Sequence, residues 1–537
     1  MSLSDARRLW RSGEPFVWLT GGALALALIM VTGLIVIILV NALGFFWPAA
    51  VARLTLRDGT TLAGPVVDRE AIPGGDGQSR IKVRVANRDL YGADFVWLDE
   101  AQIVSREWPP DVAVIERTEW GLLVGTITAL REGERVIATG AAAWEETRRR
   151  LPEAGRLRAE IRRIERSDIG AINHAQEQVR LGLRRLELEG VTSGAAVDDL
   201  RARMGTLERR YQAQAARLAE LRGRQTASLV VDAEGDKEKV LPLAQVLDVT
   251  FPNRMGLGAK SLHYMAKVWE FVSDDPRESN TEGGVFPAIF GTVMMVLIMS
   301  ILVTPLGVLA AFYLREYARQ GAFVSAVRIA VNNLAGVPSI VFGVFGVGFF
   351  IYFVGGSIDR LFFAEALPTP TFGTGGILWA SLTLALLTIP VVIVATEEGL
   401  AAIPRGTREA SLALGATKLE TTVRVVLPAV MPSILTGLIL AMGRAAGEVA
   451  PLMITGVVKL APSLPVDSLW PYLHLDRKFM HLGFHIYDVG FQSPNVDAAR
   501  PMVFTTTLLL LTIVLVLNLF AISMRNRLRR KYATAAV

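Results

Sequence analysis

Six stretches of the chain carry almost no charge, and each is long enough, or nearly so, to cross a bilayer as a helix. Such a crossing takes about 20 mostly apolar residues. The runs lie at about 16–47, 288–314, 327–356, 375–396, 429–458 and 501–524. The first has no charged residue between Glu14 and Arg53. It exceeds the roughly 7–15-residue apolar core of a signal peptide, and no small-residue cleavage pattern follows, so it reads as a retained helix. The third is interrupted by Gly336-Val337-Pro338. Composition agrees: 51% apolar residues and a mean hydropathy of +0.39 coexist with 20% charged residues because the charges are segregated into separate blocks. This excludes an all-soluble enzyme and a wholly disordered chain. A net charge of +5 suggests no nucleic-acid partner, and the absence of cysteine removes disulfides, thiolate metal sites and thiol catalysis.

Orientation is read from the Lys/Arg bias of short flanks. Arg7, Arg8 and Arg11 precede the first run; Arg525, Arg527, Arg529, Arg530 and Lys531 follow the last. Both termini (1–15 and the basic tail 525–537) are therefore expected in the cytoplasm, as is the loop 397–428 with Arg405, Arg408, Lys418 and Arg424. Trp10, Trp18, Trp47 and Trp379 stand near run ends, where indole rings favour the interface.

The segment 48–285, between the first run and the remaining core 286–524, is too long for a loop and reads as an α+β insert on the outer, periplasmic side. Ile81-Lys82-Val83-Arg84-Val85 alternates with the period of a half-buried strand, and Asp58-Gly59 is a hairpin signal. Further strands are expected at about 112–116, 122–129, 228–232 and 240–249. Between them, about 141–226, helix formers dominate. Leu157, Ile161, Ile164, Leu181, Leu186 and Leu188 form a partial apolar stripe; Gly190–Gly194 breaks it; Leu200, Met204, Leu207, Tyr211, Leu218 and Leu221 resume it. This pattern predicts an antiparallel coiled-coil hairpin. Its charged surface fits either a solvated face or a docking arm.

Three motifs carry chemistry. In the inner loop, Glu409-Ala410-Ser411-Leu412-Ala413-Leu414-Gly415-Ala416-Thr417-Lys418 predicts two short helices with a turn at Gly415, between Pro404 and Pro428. Small residues on the first helix let another surface approach closely, so the loop reads as a docking element rather than a plain connector. The second motif is Leu334-Ala335-Gly336-Val337-Pro338-Ser339-Ile340-Val341-Phe342-Gly343-Val344-Phe345-Gly346. Its glycines permit close helix contact. Pro338 would kink the span, leaving carbonyls and Ser339 facing protein or a water-filled path. The third is Met442-Gly443-Arg444-Ala445-Ala446-Gly447-Glu448-Val449-Ala450-Pro451, with Arg444 near mid-depth of the fifth run. A lone ion there costs about 2.5–3.5 kcal/mol. The i,i+4 spacing lets Arg444 and Glu448 neutralise each other, whether as a structural pair or as an anion site whose fork of donors matches a tetrahedral oxyanion.

The first motif resembles the EAA loop of ABC-importer permeases, which inserts into a groove of the ATPase subunit. The second and third resemble the AGVPSIVxGxFG and RAxGETAP segments of phosphate-importer permeases, with Val449 where Thr is usual. The resemblance is to the PstA branch of that family and covers about 285–525 plus the first run; nothing carries over to the insert. It implies a bacterial inner-membrane permease subunit of an ATP-driven phosphate importer. Implied partners are a second, PstC-type permease, two ATPase subunits, a periplasmic phosphate-binding protein, inorganic phosphate and the lipid bilayer. Arg444, Glu448, Ser339 and Pro338 are the implied pathway residues; Arg408, Glu409, Ala410, Ser411, Gly415 and Lys418 the implied ATPase contacts, with Arg408 also a secondary transport candidate. No Gly-x4-Gly-Lys-Ser/Thr occurs, and Gly74-Gly75-Asp76-Gly77 is not followed by Lys, so this chain would bind no cofactor. ATP and Mg would sit on the partner. Other readings remain open: a permease for another oxyanion or solute, or a membrane-anchored scaffold or sensor working through its insert. In the outer loops, His474, His481, His485 and Asp488 raise a metal site against ordinary packing, and Asp359 and Glu365 raise a binding-protein contact against a solvated loop.

Overall fold

The computed structural model describes residues 14–72, 78–234, 237–493 and 496–533. Arg7, Arg8, Trp10, Arg11 and the Gly74–Gly77 run lie outside the described residues, as do the side chains of Arg529 and Lys531. Six described helices are long and apolar enough to cross a membrane: Phe16–Leu43, Phe286–Tyr317, Ser339–Phe362, Ile377–Ala402, Lys418–Gly447 and Val496–Leu528.

The second and fourth spans form the centre of the bundle. Met295, Val296, Met299 and Val303 pack on Ala380, Leu384, Leu387 and Val392, with Phe342 from the third span and Ala441, Ala445 and Ala446 from the fifth completing a buried cluster. Glycine lets the fourth and fifth spans touch backbone to backbone: a Cβ added at Gly399 would stand 2.5 Å from Ser433 Cβ, and one at Gly437 would stand 2.7 Å from Ala395 Cβ. Without water to hide from, such close van der Waals contact is what holds membrane helices together. The first span is apolar all round and buries little besides Ile38 and Ala42. It leans on the sixth, where Thr505 Oγ1 lies 3.5 Å from Ala42 O.

Two spans depart from the sequence expectation. The third begins only at Ser339; Ala322–Leu334 is a separate shorter helix. Pro338 has no N–H to give and biases Val337 away from the helical region, so it caps the new helix (φ −55°, ψ 135°) rather than kinking a continuous one. The fifth begins at Lys418 rather than near 429 and ends at Gly447, followed by a short helix Ala450–Thr455 with Pro451 in its first turn. Trp379 also differs: it is 2% exposed, donates from Nε1 to Phe372 O at 2.7 Å and stacks on Phe350. Trp18 and Trp47 are exposed, as an interfacial ring should be.

The insert holds two large antiparallel sheets and a two-stranded one that pairs Pro276–Arg277 with Glu282–Gly283. Strands β1 (Val51–Leu56), β2 (Thr61–Ala71), β3 (Ser79–Arg84), β4 (Phe95–Asp99) and β5 (Ile103–Glu107) form the first, in the order β4-β3-β2-β1-β5. Asp58-Gly59 makes the β1–β2 turn, with Gly59 at φ +84°. The second sheet has β6 (Val112–Arg117), β7 (Leu122–Glu132), β8 (Arg135–Thr139), β9 (Ala227–Asp232), β10 (Glu238–Pro242) and β11 (Val246–Thr250), in the order β10-β9-β7-β6-β11 with β8 beside β7. The run expected as one strand over 240–249 is thus two, separated by a 3-10 turn at Leu243–Gln245. Between β8 and β9 rise the helices Ala141–Arg163, Ile169–Leu188 and Ala195–Gly223, the last two antiparallel with Gly190 (φ +81°) and Gly194 (φ +126°) at their turn. A π-helical turn at Ile164–Asp168 joins the first two.

Within the insert, the second sheet meets the segment leading to the core, helix Leu257–Ser273 and the turn after it, through a charged junction. Glu116 on β6 binds Lys267 and Arg277, and both reach Glu270, at 2.8 and 3.3 Å. These cations hold the Glu116 carboxyl below its usual range despite burial. Glu282 beside them is not compensated in this way: its Oε2 is buried without a hydrogen-bond partner among the described residues, and burial pushes its carboxyl from 4.5 up to about 7. Between those values the folded chain binds more protons at Glu282 than the unfolded one, so the junction loses stability as pH rises through that window. Glu282→Gln is expected to remove that slope, read as thermal midpoints compared at about pH 5 and about pH 8. An unchanged slope would show that Glu282 does not titrate there.

Candidate translocation and coupling site

The break in the fifth span places its charges. Arg444 sits in the last helical turn, where the negative end of the helix dipole suits a cation. Glu448 is already extended (φ −78°, ψ 136°). The pair survives the break, with Arg444 Nε 3.5 Å from Glu448 Oε1. Their side chains are 34% and 20% exposed, so they line an open face of this chain rather than a sealed core. The rest of the Arg444 guanidinium has no other partner among the described residues. Depth follows from register: Gly437 packs on Val392, near the middle of the fourth span. Arg444 stands two turns further along, about 10 Å from that level. Gly443 faces Asn518 of the sixth span, whose Oδ1 is buried without a partner among the described residues.

The third span starts close to this level. A Cβ at Gly343 would stand 2.7 Å from Pro451 Cα, and one at Gly346 would stand 2.4 Å from Thr383 Oγ1. Gly343 and Gly346 therefore are contact glycines, whereas Gly336 meets only Asn333 O of its own turn. One turn back from Gly343 lies Ser339, and four residues before Pro451, across the break, lies Gly447 at the end of the fifth-span helix. Pro338 and Ser339 thus share the depth of the fifth-span break. Pro338 is exposed and Ser339 half-buried. The first N–H groups of a helix have no partner within it, and the dipole makes that end positive. Arg444 thus stands off the middle of the bundle rather than at the mid-depth expected from the run, and two interrupted helices with a guanidinium at that level can offer a passing anion weak, transient contacts, which is how broken membrane helices make sites.

The loop 397–428 folds as two helices, Arg405–Ala413 and Lys418–Thr421, the second running on into the fifth span. Gly415 at φ +87° makes the turn with nothing near its missing Cβ; a branched residue there would strain the backbone by about 1–2 kcal/mol. Thr417 and Glu420 form a capping box, a Thr-x-x-Glu signal in the sequence that the motif alone did not bring out. Ser411 Oγ and Thr421 Oγ1 join the helices at 2.9 Å. Arg408 is a brace: it donates to Glu316 Oε1, Leu400 O and Ile403 O, each at 2.9 Å, closing the end of the fourth span onto the second. That position ties the base of the loop to the ends of the second and fourth spans. Lys418 lies over the Tyr317 ring at 4.7 Å. Glu409 and Ala410 are exposed, and Glu409 has no ion pair among the described residues. Beside them stand residues that the motif did not single out: Leu414 at 89% exposure, with Leu412, Leu419 and Val423 also exposed. Their apolar character is visible in the sequence; their exposure is not.

In the loops at the insert end of the bundle, packing accounts for the candidates. His474 Nε2 lies 3.0 Å from Asp467 Oδ1, and Asp467 also holds Arg477. His481 Nδ1 accepts from Gly483 N at 3.1 Å and caps the helix Leu482–Tyr487. His485 is buried and Asp488 is held by Lys459 and Asn280, both at 3.1 Å. Burial lowers His481 to about 3 and His485 to about 4, so both are neutral. Among the described residues no three His, Asp or Glu converge as a metal site. Asp359 accepts from Phe372 N at 2.9 Å and Gly373 N at 2.6 Å, bracing its loop. Glu365 pairs with Arg185 of the insert hairpin. Both carboxylates are buried and engaged inside the chain, not solvated.

Similar proteins match the core. The probable ABC transporter permease protein YqgI of Bacillus subtilis (strain 168) is 29% identical over 43% of this chain and 74% of its own length. Phosphate transport system permease protein PstA 1 of Mycobacterium tuberculosis (strain CDC 1551 / Oshkosh) is 38% identical over 32% of this chain, and the PstA of Yersinia pestis 35% identical over 35%. The chain spans 51% and 57% of those two relatives' lengths. A solved methionine ABC transporter, MetNI, overlaps 49% of this chain and 97% of its own at 19% identity and a TM-score of 0.33. Residues 303–533 match the family described as binding-protein-dependent transport system inner membrane component. Over that stretch the chain is similar to the permease components of ABC transporters.

Proposed function

We propose that this chain is the permease subunit of an ATP-driven inorganic phosphate importer, forming half of the path and driven through its inner loop by a separate ATPase. The observation that supports it most is the meeting of two interrupted helices inside the apolar bundle beside an Arg444 guanidinium held by a single 3.5 Å contact. The choice of phosphate leans on the relatives named as phosphate transport permeases. The partners would be a second PstC-type permease, two ATPase subunits carrying ATP and Mg, and an external phosphate-binding protein. Arg408, the exposed loop leucines and the basic residues Arg525 and Arg527 lie at one end of the bundle, so that end would be cytoplasmic and the insert periplasmic. Uptake of labelled phosphate by cells or proteoliposomes holding the whole complex should resist excess unlabelled sulfate. Sulfate competing equally would move the reading to a general oxyanion permease.

A further inference from the structure

We propose that the helix Leu257–Ser273 lies flat in the lipid–water boundary on the insert side of the membrane, with Leu262, Met265 and Trp269 immersed in lipid. In the sequence this segment is simply part of the insert, and no relative's name assigns it a role. The proposal rests on the six membrane helices and not on the phosphate reading.

The helix has two opposed faces. His263, Lys267 and Glu270 point toward the insert: Lys267 Nζ binds Glu116 of β6, lies 3.5 Å from Asp248 of β11 and 2.8 Å from Glu270. On the opposite face Leu262, Met265 and Trp269, spaced three and four residues apart, are 75%, 62% and 72% exposed. Three large side chains on one stripe, open to solvent, call for a cover.

The helix is also fixed at the level of the membrane surface. Tyr264 lies 6.1 Å from Phe46 and 6.2 Å from Trp47, ring centre to ring centre, just past the end of the first span at Leu43. Phe271 lies 5.3 Å from Phe46 and is buried with Val285, Ala288 and Met502, where the second span starts. The exposed stripe therefore belongs to a helix seated against the end of the first span, whose apolar surface is exposed along most of its length. A protein cover would need no such placement at the end of a membrane span. A lipid surface does, and an amphipathic helix with a Trp on its apolar face is the form that settles there. The insert above would then be stitched to the membrane through Glu116 and Lys267.

The chain has no cysteine, so Leu262→Cys, Met265→Cys and Trp269→Cys each accept a single nitroxide label at an exposed, non-packing position. Leu28→Cys in the first span and Arg209→Cys on the exposed hairpin serve as references. The full chain with its co-purifying partners is reconstituted into vesicles of phosphatidylethanolamine and phosphatidylglycerol, with the unlabelled parent as the spectral blank. Collision with oxygen is compared with collision with an aqueous nickel chelate. The expected result is that labels at 262, 265 and 269 favour oxygen, as at 28, with the ratio reversed relative to 209. Labels that favour the nickel chelate, as at 209, would overturn the proposal. Labels shielded from both probes would also overturn it, by giving the face to a protein partner.

Discussion

Arg444→Ala is expected to reduce phosphate uptake about 10- to 100-fold, the loss of one charge-assisted contact worth roughly 1.5–3 kcal/mol to a passing anion. The change also leaves the Glu448 carboxylate unopposed at the same level, and a lone negative charge repels the cargo. Assembly should survive, because Arg444 is partly exposed and its pairing with Glu448 is a single long contact of 3.5 Å. Arg444→Lys keeps the charge but loses the planar fork and should fall between wild type and Ala. The readouts are initial uptake rate and co-purification of the partners from the same membranes. Normal uptake by an assembled Ala variant would remove Arg444 from the path.

Leu414→Glu is expected to release the ATPase. Leu414 is 89% exposed at a turn fixed by Gly415 (φ +87°), with Leu412, Leu419 and Val423 exposed around it. A side chain this open contributes almost nothing to the fold of its own chain, so the variant should accumulate normally. If it fills a pocket in the motor subunit, a charge in its place costs about 2–4 kcal/mol, roughly 30- to 1,000-fold in affinity. The measurement is the amount of ATPase retained when the permease is purified, together with ATP-dependent uptake. Full retention would place the docking surface elsewhere and leave the exposed leucines unexplained.

Local signals are readable in the residues themselves. Hydropathy marks all six membrane helices because the bilayer imposes a length on each, and Pro404 and Gly415 punctuate the loop through backbone constraints that act within a few residues, whereas Pro428, expected to close it, falls inside the fifth span. The same locality misleads where two elements abut. Apolar residues run on through Gly336–Pro338 and through Gly447–Pro451, so composition joins what the backbone separates. The hairpin strands around Asp58-Gly59 are legible because their turn is local, while the split of 240–249 into two strands depends on which neighbours each half pairs with, β9 for one and β6 for the other.

What the residues alone determined, then, is a membrane bundle with a loop shaped for docking and a guanidinium–carboxylate pair inside an apolar run. Each follows from chemistry that neighbouring residues settle between themselves. The tertiary structure decided the rest. Arg408 is a brace because Glu316, almost a hundred positions earlier, comes to meet it, and Glu365 is a latch because Arg185 reaches down from the insert. The breaks of the third and fifth spans fall at one depth because Gly343 seats against Pro451. Exposure and depth are properties of contacts between distant segments, and no run of sequence carries them by itself.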